Sequence, residues 1–179
     1  AEAGQITALP GYAEGFWWVQ DAAATLPARA LAAQPGERVL DLCAAPGGKT
    51  GHLLECAPTA QVLALDVDPQ RCERIQQNLD RLNVTAQVVA ADAALPDAWW
   101  DGQAFDAILL DAPCSATGIF ARHPDVLHRI RPKDIAQLAE IQAKMLERAA
   151  GWLKPGGRIV YATCSLERPE GEDVAAQAK

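Results

Sequence analysis

The chain has 179 residues, is 50% hydrophobic and 22% charged, and carries a formal net charge of −7. This length and composition are typical of one globular domain with a substantial core. Since no run of about 18 apolar residues is present, we expect no membrane-spanning helix. The acidic balance argues against a free-standing nucleic-acid binder.

The five cysteines are spread along the chain without a Cys-x-x-Cys pair. Their odd number and wide spacing disfavour a disulfide framework and a zinc site, and are typical of a reducing compartment. The N-terminus shows no basic-then-apolar leader of the secretory kind. We therefore expect a cytoplasmic protein without a metal ion.

The predicted elements alternate between strands and helices after an irregular start. Residues 1–34 are predicted to form a lead-in segment, whose helical spacing over 17–31 is interrupted by Pro27. Strands are predicted at 37–43, 61–67, 86–91, 105–110 and 158–164. Helices are predicted at 48–57, 69–83, 134–153 and from 169 onward, with a short helix or turn at 96–101 and a long loop over 112–132. This alternation predicts an α/β fold with a mostly parallel, doubly wound sheet.

The segment from Val39 to Thr50, VLDLCAAPGGKT, is predicted to be a strand, a small-residue turn and the start of a helix. Gly47 and Gly48 permit backbone angles that other residues resist, and Pro46 fixes its own φ. Such a turn lets a ligand approach the main chain, and its free N–H groups suit a polar or anionic group. The alternative is a tight connection without a ligand.

Carboxylates recur where the predicted strands end. Asp41 lies near the end of the first strand, and Asp66, Asp92 and Asp111 lie at the ends of the next three. Because these ends lie on one edge of a parallel sheet, a shared site is favoured over separate cap or turn residues. Asp66 follows Gly47 by 19 residues, the spacing at which an acidic residue binds a ribose hydroxyl pair.

Two other nucleotide-binding patterns have to be compared with this region. The Gly-x-Gly-x-x-Gly pattern of nicotinamide enzymes is absent. Residues 48–50, followed by the strand that ends at Asp111, imitate a P-loop nucleotide hydrolase, but Cys43 stands where that loop needs glycine. A non-catalytic adenosine-ligand sensor or RNA-binding module is a third alternative.

A ligand with adenosine and no phosphate fits the acidic set better, because carboxylates repel phosphates unless a metal intervenes. S-adenosylmethionine offers a ribose for Asp66, an adenine amino group for Asp92 and a cationic sulfonium for the surrounding carboxylates. We therefore expect S-adenosyl-L-methionine at the turn, with Lys49 in the wall around its methionine end.

Two cysteines lie at the ends of strands that should be neighbours. Cys114 follows the fourth strand in DAPCS, and Cys164 ends the fifth in ATCS. A lone cysteine is more often a small core residue, and three others are predicted to be so, namely Cys43, Cys56 and Cys72. Two cysteines beside one cofactor pocket suit methylation of a pyrimidine carbon, in which a thiolate adds to C6 and makes C5 nucleophilic.

The rest of that chemistry also has candidates. A carboxyl group at N3 would stabilise the adduct, and Asp111 is placed for it. A base must then remove the C5 proton so that the thiol can leave. The target base must be unpaired or flipped out of its helix.

Four motifs together resemble those of the bacterial 16S ribosomal RNA cytosine-C5 methyltransferases of the RsmB (Sun, Fmu) type. They are CAAPGGK at 43–49, DAPCSATG at 111–118, RHPD at 122–125 and YATCS at 161–165. The resemblance runs from about residue 11 to residue 168. It implies a Rossmann-like class I methyltransferase fold, with residues 35–179 as a catalytic core that lacks the last strands and an N-terminal RNA-binding domain.

The resemblance also implies roles for individual residues. Cys164 would be the nucleophile, and Cys114 would assist proton removal or product release. DNA cytosine methyltransferases use the Pro-Cys cysteine as nucleophile, so the Thr-Cys motif favours RNA. The implied partner is 16S ribosomal RNA, and we expect a monomer. The implied cofactor-binding residues are Cys43, Ala44, Ala45, Pro46, Gly47, Gly48, Lys49, Asp66, Asp92 and Asp111.

One stretch of the chain is basic. From Cys114 to Lys133 the charges add to +3, which leaves −10 for the remainder of a chain of net charge −7. Such a stretch is either a solvated loop or a contact surface for phosphates. The candidate RNA contacts are Arg122, His123, Arg129, Arg131 and Lys133. The chain departs from the family pattern at Ala93, His128 and Gly171.

Overall fold

The computed structural model describes residues 5–177. Residues 1–4 of the predicted lead-in segment and residues 178–179 of the predicted core lie outside the described residues. The strands are β1 (Arg38–Leu42), β2 (Gln61–Asp66), β3 (Gln87–Ala90), β4 (Phe105–Asp111) and β5 (Leu153–Ala162). The helices are α1 (Leu26–Leu31), α2 (Gly48–Cys56), α3 (Pro69–Leu82), α4 (Val126–Arg129), α5 (Pro132–Ala150) and α6 (Glu172–Gln177).

The five strands form one parallel sheet in the order β3-β2-β1-β4-β5. From β1 the chain first winds outward through β2 and β3, and then returns to the other side of β1 with β4 and β5. This reversal places a switch point at the carboxyl ends of β1 and β4, where ligands bind in sheets of this kind. The predicted doubly wound α/β fold is confirmed.

Each face of the sheet carries its own hydrophobic core, because side chains alternate along every strand. Val39 and Leu109 pack with α1, α2 and α3 on one face, whereas Leu40 and Leu110 pack with α5 and α6 on the other. The largest apolar side chains of both cores are fully buried. The sheet therefore holds the carboxyl ends of its strands rigidly at one edge.

Two of the differences between the predicted and observed elements involve proline. Residues 17–31 form only a short turn at Ala23–Thr25 and then α1. Pro27 lies in the first turn of α1, where its missing N–H group has no consequence, so it starts the helix rather than interrupting it. The Pro155-Gly156-Gly157 segment lies between the predicted helix and the predicted fifth strand, but a register shift against β4 includes it in the strand, which begins at Leu153.

The lead-in segment docks against the end of α3. Arg81 donates hydrogen bonds to the carbonyl oxygens of Tyr12 (2.9 Å) and Trp17 (3.1 Å), and its guanidinium lies 4.1 Å from the centre of the Tyr12 ring. Gly15 has a φ of +73°, and a Cβ there would lie 1.8 Å from the Arg81 carbonyl oxygen. Glycine is required at such an approach. The docking carries the following residues toward the carboxyl edge of the sheet.

Candidate active site

The small-residue turn is fixed from two sides. Ala44 N–H donates to the carbonyl oxygen of Leu65 in β2 (3.1 Å), and Asn78 on α3 donates to the carbonyl oxygen of Pro46 (2.8 Å). Gly47 has a φ of +95°, and a Cβ there would lie 3.1 Å from Ile75. The turn therefore needs glycine at this position, and it aims the start of α2 at the sheet edge.

Asp66, at the end of β2, holds the same turn. One carboxylate oxygen accepts a hydrogen bond from Ala45 N–H (3.2 Å), and the other accepts one from Asp68 N–H (3.2 Å). Arg71 lies 3.4 Å from the second oxygen and donates to the Ala45 carbonyl oxygen. The ribose contact of Asp66 stays a prediction, and a ligand there would share this buried carboxylate with Arg71.

Asp41 has a different position from the other strand-end carboxylates. It is fully buried beneath the turn and accepts a 2.6 Å hydrogen bond from Thr50 Oγ1, which ties β1 to α2. Burial raises the pKa of Asp41 to about 7, although the Thr50 hydrogen bond opposes the shift. Asp41 therefore supports the turn from below, on the protein side of the cleft.

Two adjoining cavities open at the carboxyl edge of the sheet. The first, of about 410 Å³, is lined by the turn and by the ends of β2, β3 and β4. The second, of about 270 Å³, lies between α1, the basic stretch and the end of β5. Asp111 and Cys164 line both cavities. The arrangement suits transfer between a ligand in one cavity and a ligand in the other. A larger groove, of about 780 Å³ between α5 and α6, contains neither residue.

The predicted cofactor residues divide between these places. Within the described residues, the wall of the first cavity includes Cys43, Ala45, Asp66, Asp92 and Asp111. Ala44, Pro46, Gly47 and Gly48 form the turn behind it. Lys49 lines the second cavity, where Nζ forms an ion pair with Asp111 at 2.7 Å.

Most of the predicted RNA-contacting residues lie outside the two cavities. Arg122 lines the second cavity and forms an ion pair with Asp21 of the lead-in segment at 3.0 Å. Arg129 forms an exposed ion pair with Asp125 at 3.3 Å. His123, Arg131 and Lys133 are exposed and lie outside the walls of both cavities. The structure therefore brings one of the five predicted side chains to the cleft.

Cys114 and Cys164 lie side by side, with their Sγ atoms 3.4 Å apart. The hydrogen bond from Cys114 lowers the pKa of Cys164 to about 7, against the opposing effects of burial and of Asp111. The same hydrogen bond, with burial, raises the pKa of Cys114. These opposite shifts make Cys164 the more readily ionised thiol of the pair and favour Cys114 as its S–H donor. The thiolate is the nucleophilic form of cysteine.

The reactivity of Cys164 should follow this pKa. We expect its alkylation rate by iodoacetamide to rise with pH through a midpoint near 7, because the thiolate forms above the pKa. In the Cys114→Ala variant the hydrogen bond is lost, and the midpoint should move up toward about 8.5, the value of an ordinary thiol. Mass spectrometry of the Cys164 peptide measures both rates. Equal midpoints in the two proteins would show that Cys114 does not tune Cys164.

The other cysteines only partly match the sequence prediction. Cys72 is buried in the core, as predicted. Cys43 is half-buried, and burial raises its pKa to about 12, which leaves its thiol unreactive. Cys56 is exposed, because it is the last residue of α2, so its assignment to the core was wrong.

Sequence reasoning missed a buried polar cluster behind the two cysteines. Glu170, Ser115 and Gln142 are buried, and Ser165 is partly so. The signal was present, since a serine follows each of the paired cysteines. The role of these serines depends on Glu170, which lies in the turn after β5 and accepts hydrogen bonds from both of them only in the folded chain.

Residues 5–177 lack two further features. Their helices include none that combines the length and apolar character needed to cross a membrane. The same residues contain no group of three His, Cys, Asp or Glu side chains placed to hold a metal ion.

A parallel sheet in this order, with a small-residue turn after β1 and acidic residues at successive strand ends, is typical of Rossmann-like S-adenosylmethionine-dependent methyltransferases. The family model described as "16S rRNA methyltransferase RsmB/F" matches residues 28–178. The chain belongs to this family.

Individual relatives agree with the family match. The chain is 56% identical over 162 residues to "Ribosomal RNA small subunit methyltransferase B" of Vibrio cholerae, covering 90% of this chain and 37% of that protein. It is similar to NSun6 from Pyrococcus horikoshii with SFG, at 31% identity and a TM-score of 0.87 over 96% of this chain and 44% of that one. A methyltransferase homologue from the same organism shows 37% identity and a TM-score of 0.81, and the match covers 97% of this chain and 54% of that one. The chain spans about two fifths of the length of the curated relatives it matches.

Proposed function

We propose that this chain is the catalytic part of an enzyme that transfers a methyl group from S-adenosyl-L-methionine to C5 of a cytosine in 16S ribosomal RNA. One observation carries the proposal: Asp111 and Cys164 stand at the junction of two cavities, and Cys164 has a pKa near 7. The similar protein of Vibrio cholerae is named for ribosomal RNA small subunit methylation.

The first cavity is the proposed site of the cofactor, which supplies the methyl group when bound. Its volume falls in the range of small-molecule sites, and its carboxylates suit a cationic sulfonium. Asp66 is assigned to the ribose hydroxyls and Asp92 to the adenine amino group. The similar NSun6 structure contains SFG, an analogue of S-adenosylmethionine, which supports this choice.

The second cavity is the proposed site of the target cytosine. The Cys164 thiolate adds to C6, which breaks the C5–C6 double bond and leaves C5 able to attack the methyl group. The bond from that methyl group to the sulfonium sulfur would break, with its electron pair remaining on the neutral sulfur of the demethylated product. Asp111 is assigned to N3, and Lys49, 2.7 Å from it, is placed to supply the proton that stabilises the adduct. Cys114 then assists transfer of the C5 proton to a solvent base, and the electron pair of that C–H bond restores the double bond as Cys164 leaves.

The RNA is proposed to reach this cavity along the basic stretch. Arg122 lies at the cavity and can exchange its ion pair with Asp21 for a phosphate. Arg129, Arg131 and Lys133 extend the positive surface, and His123 is exposed beside Arg122. The cytosine must be single-stranded or flipped, since a paired base cannot enter a cavity of this size.

We propose that the enzyme is a monomer and acts in the cytoplasm.

Calorimetry on this chain separates the proposed function from its rivals. We expect saturable binding of S-adenosyl-L-methionine and of its demethylated product, with no binding of ATP in the presence of magnesium. Magnesium-dependent ATP binding without binding of S-adenosyl-L-methionine would instead support a P-loop nucleotide hydrolase. Cofactor binding by the full-length protein, with no RNA from any source accepting a methyl group, would favour a sensor or scaffold.

A further inference from the structure

Glu170 has no exposed surface and lies in the turn Arg168–Glu170 between β5 and α6. Oε1 accepts hydrogen bonds from Ser115 N–H (2.8 Å) and from the Gln142 side-chain amide (3.1 Å). Oε2 accepts them from Ser165 Oγ (2.6 Å) and, over a short contact, from Ser115 Oγ. Within residues 5–177, no basic side chain forms an ion pair with Glu170.

The two serines bonded to this carboxylate directly follow the two cysteines of the cleft. Ser115 lies next to Cys114 in the loop after β4, and Ser165 lies next to Cys164 in the loop after β5. One carboxylate therefore bridges both cysteine loops. The Glu170 main chain is itself fixed, because Tyr161 donates its hydroxyl hydrogen to the Glu170 carbonyl oxygen at 2.5 Å.

Direct contacts between the same two loops surround this bridge. Thr117 Oγ1 lies 3.3 Å from Ser165 Oγ, and Gly118 N–H donates to the Cys164 carbonyl oxygen at 2.9 Å. A Cβ at Gly118 would lie 2.6 Å from that oxygen, so the loops pass too closely for a side chain. These contacts join the two loops directly, and the buried hydrogen bonds to Glu170 add a second connection between Ser115 and Ser165.

Burying a carboxylate between two loops costs free energy, because the charged group loses its contacts with water and needs several hydrogen-bond donors in their place. Once matched, its hydrogen bonds fix the donors at defined positions, which an apolar side chain would not do. The Cys114–Cys164 hydrogen bond depends on such fixed positions, since its two sulfur atoms belong to separate loops and Cys114 is half-buried whereas Cys164 is exposed.

We infer that Glu170 is a positioning residue for the cysteine pair, which holds the loops after β4 and β5 at the spacing that lets Cys114 donate its S–H hydrogen to Cys164. The catalytic meaning of this inference rests on the proposed function, whereas the geometric claim does not. Glu170 acts through the serines and has no contact with the cleft. Its removal should change the chemistry of Cys164 before it changes the fold.

The charged and titratable groups that face Cys164 come from several elements. Cys114 and Asp111 face it from the end of β4, and Lys49 faces it from α2. The neighbouring side chain on α5, Gln142, carries no charge. A shift in Cys164 reactivity that follows a change at Glu170 must therefore come either from the charge of Glu170 or from the position of these groups.

Glu170→Asp separates these two causes, because it keeps the charge but shortens the side chain. We expect the midpoint of Cys164 alkylation to move up from about 7 toward about 8.5, lowering the rate at pH 7 by about tenfold. Glu170→Gln keeps the length and removes the charge, so a purely electrostatic role would lower the midpoint in this variant and leave it unchanged in Glu170→Asp. Either of these results would overturn the inference.

Two further variants keep the experiment decisive. Glu172→Asp changes an exposed carboxylate in the neighbouring helix and should leave the Cys164 midpoint unchanged. Ser165→Ala removes one hydrogen bond of the bridge, and a smaller upward shift is expected even if Glu170→Asp does not fold. An unchanged midpoint in a folded Ser165→Ala protein would count against the bridge. Because alkylation needs neither cofactor nor RNA, the test can fail or succeed independently of the proposed function.

Discussion

Replacing Cys164 by alanine is expected to lower methyl transfer by the full-length protein by at least about a thousandfold, as expected for loss of a covalent nucleophile. The fold and the proposed cofactor contacts should be retained, because Cys164 is exposed and its side chain is small. Incorporation of labelled methyl groups into 16S ribosomal RNA measures the rate, and calorimetry checks that cofactor binding is retained.

The paired variant Cys114→Ala should behave differently. If Cys114 assists removal of the C5 proton or release of the product, its loss should arrest the reaction after the nucleophile has bonded to the base. Protein joined covalently to RNA should then accumulate, and it can be seen as a slower band on a denaturing gel. Cys56→Ala, at an exposed cysteine outside the cleft, serves as the control for both variants. Turnover by Cys164→Ala at the unmodified rate would reject these roles.

Asp66→Asn is expected to weaken binding of S-adenosyl-L-methionine by about 10- to 100-fold, since hydrogen bonds to a charged group contribute about 1.5–3 kcal/mol. The amide keeps the shape of the side chain and one acceptor oxygen. It loses the negative charge and the second acceptor, both of which a ribose hydroxyl pair would use. Calorimetric titration of this chain with the cofactor gives the dissociation constant directly.

Asp68→Asn is the matched control for this measurement. Asp68 lies two residues away and caps α3 by accepting a hydrogen bond from Gln70 N–H at 2.8 Å. Asparagine caps helices about as well as aspartate, so this variant should keep both its fold and its cofactor affinity. Equal affinities for the Asp66→Asn variant and the unmodified chain would remove Asp66 from the cofactor site.

Much of the fold followed from local sequence signals. Apolar strands that end in aspartate alternate with helices. The helix predicted at 69–83 begins at Pro69 in the structure, where Asp68 caps it. The two errors near Pro27 and Pro155 arose where one residue type supports two local structures. A proline can interrupt a helix or begin one, and a Pro-Gly-Gly turn can also be absorbed within a strand.

The site was only partly predictable, because several side chains obtain their role from distant partners. The adjacency of Cys114 and Cys164 followed from the predicted neighbouring strands. The ion pair of Lys49 with Asp111 did not, since sequence spacing does not show to which side of a turn a long side chain extends. Glu170 was hidden for the same reason, as its four donors come from the loops after β4 and β5 and from α5.

Mapping the covalent adduct tests directly whether Cys164 is the nucleophile. The full-length Cys114→Ala protein is incubated with 16S ribosomal RNA and S-adenosyl-L-methionine, digested with nuclease and protease, and analysed by tandem mass spectrometry. We expect a methylated cytidine attached to the sulfur of Cys164. A nucleotide attached to any other residue, or methylated RNA formed by this variant at the unmodified rate without any adduct, would contradict it.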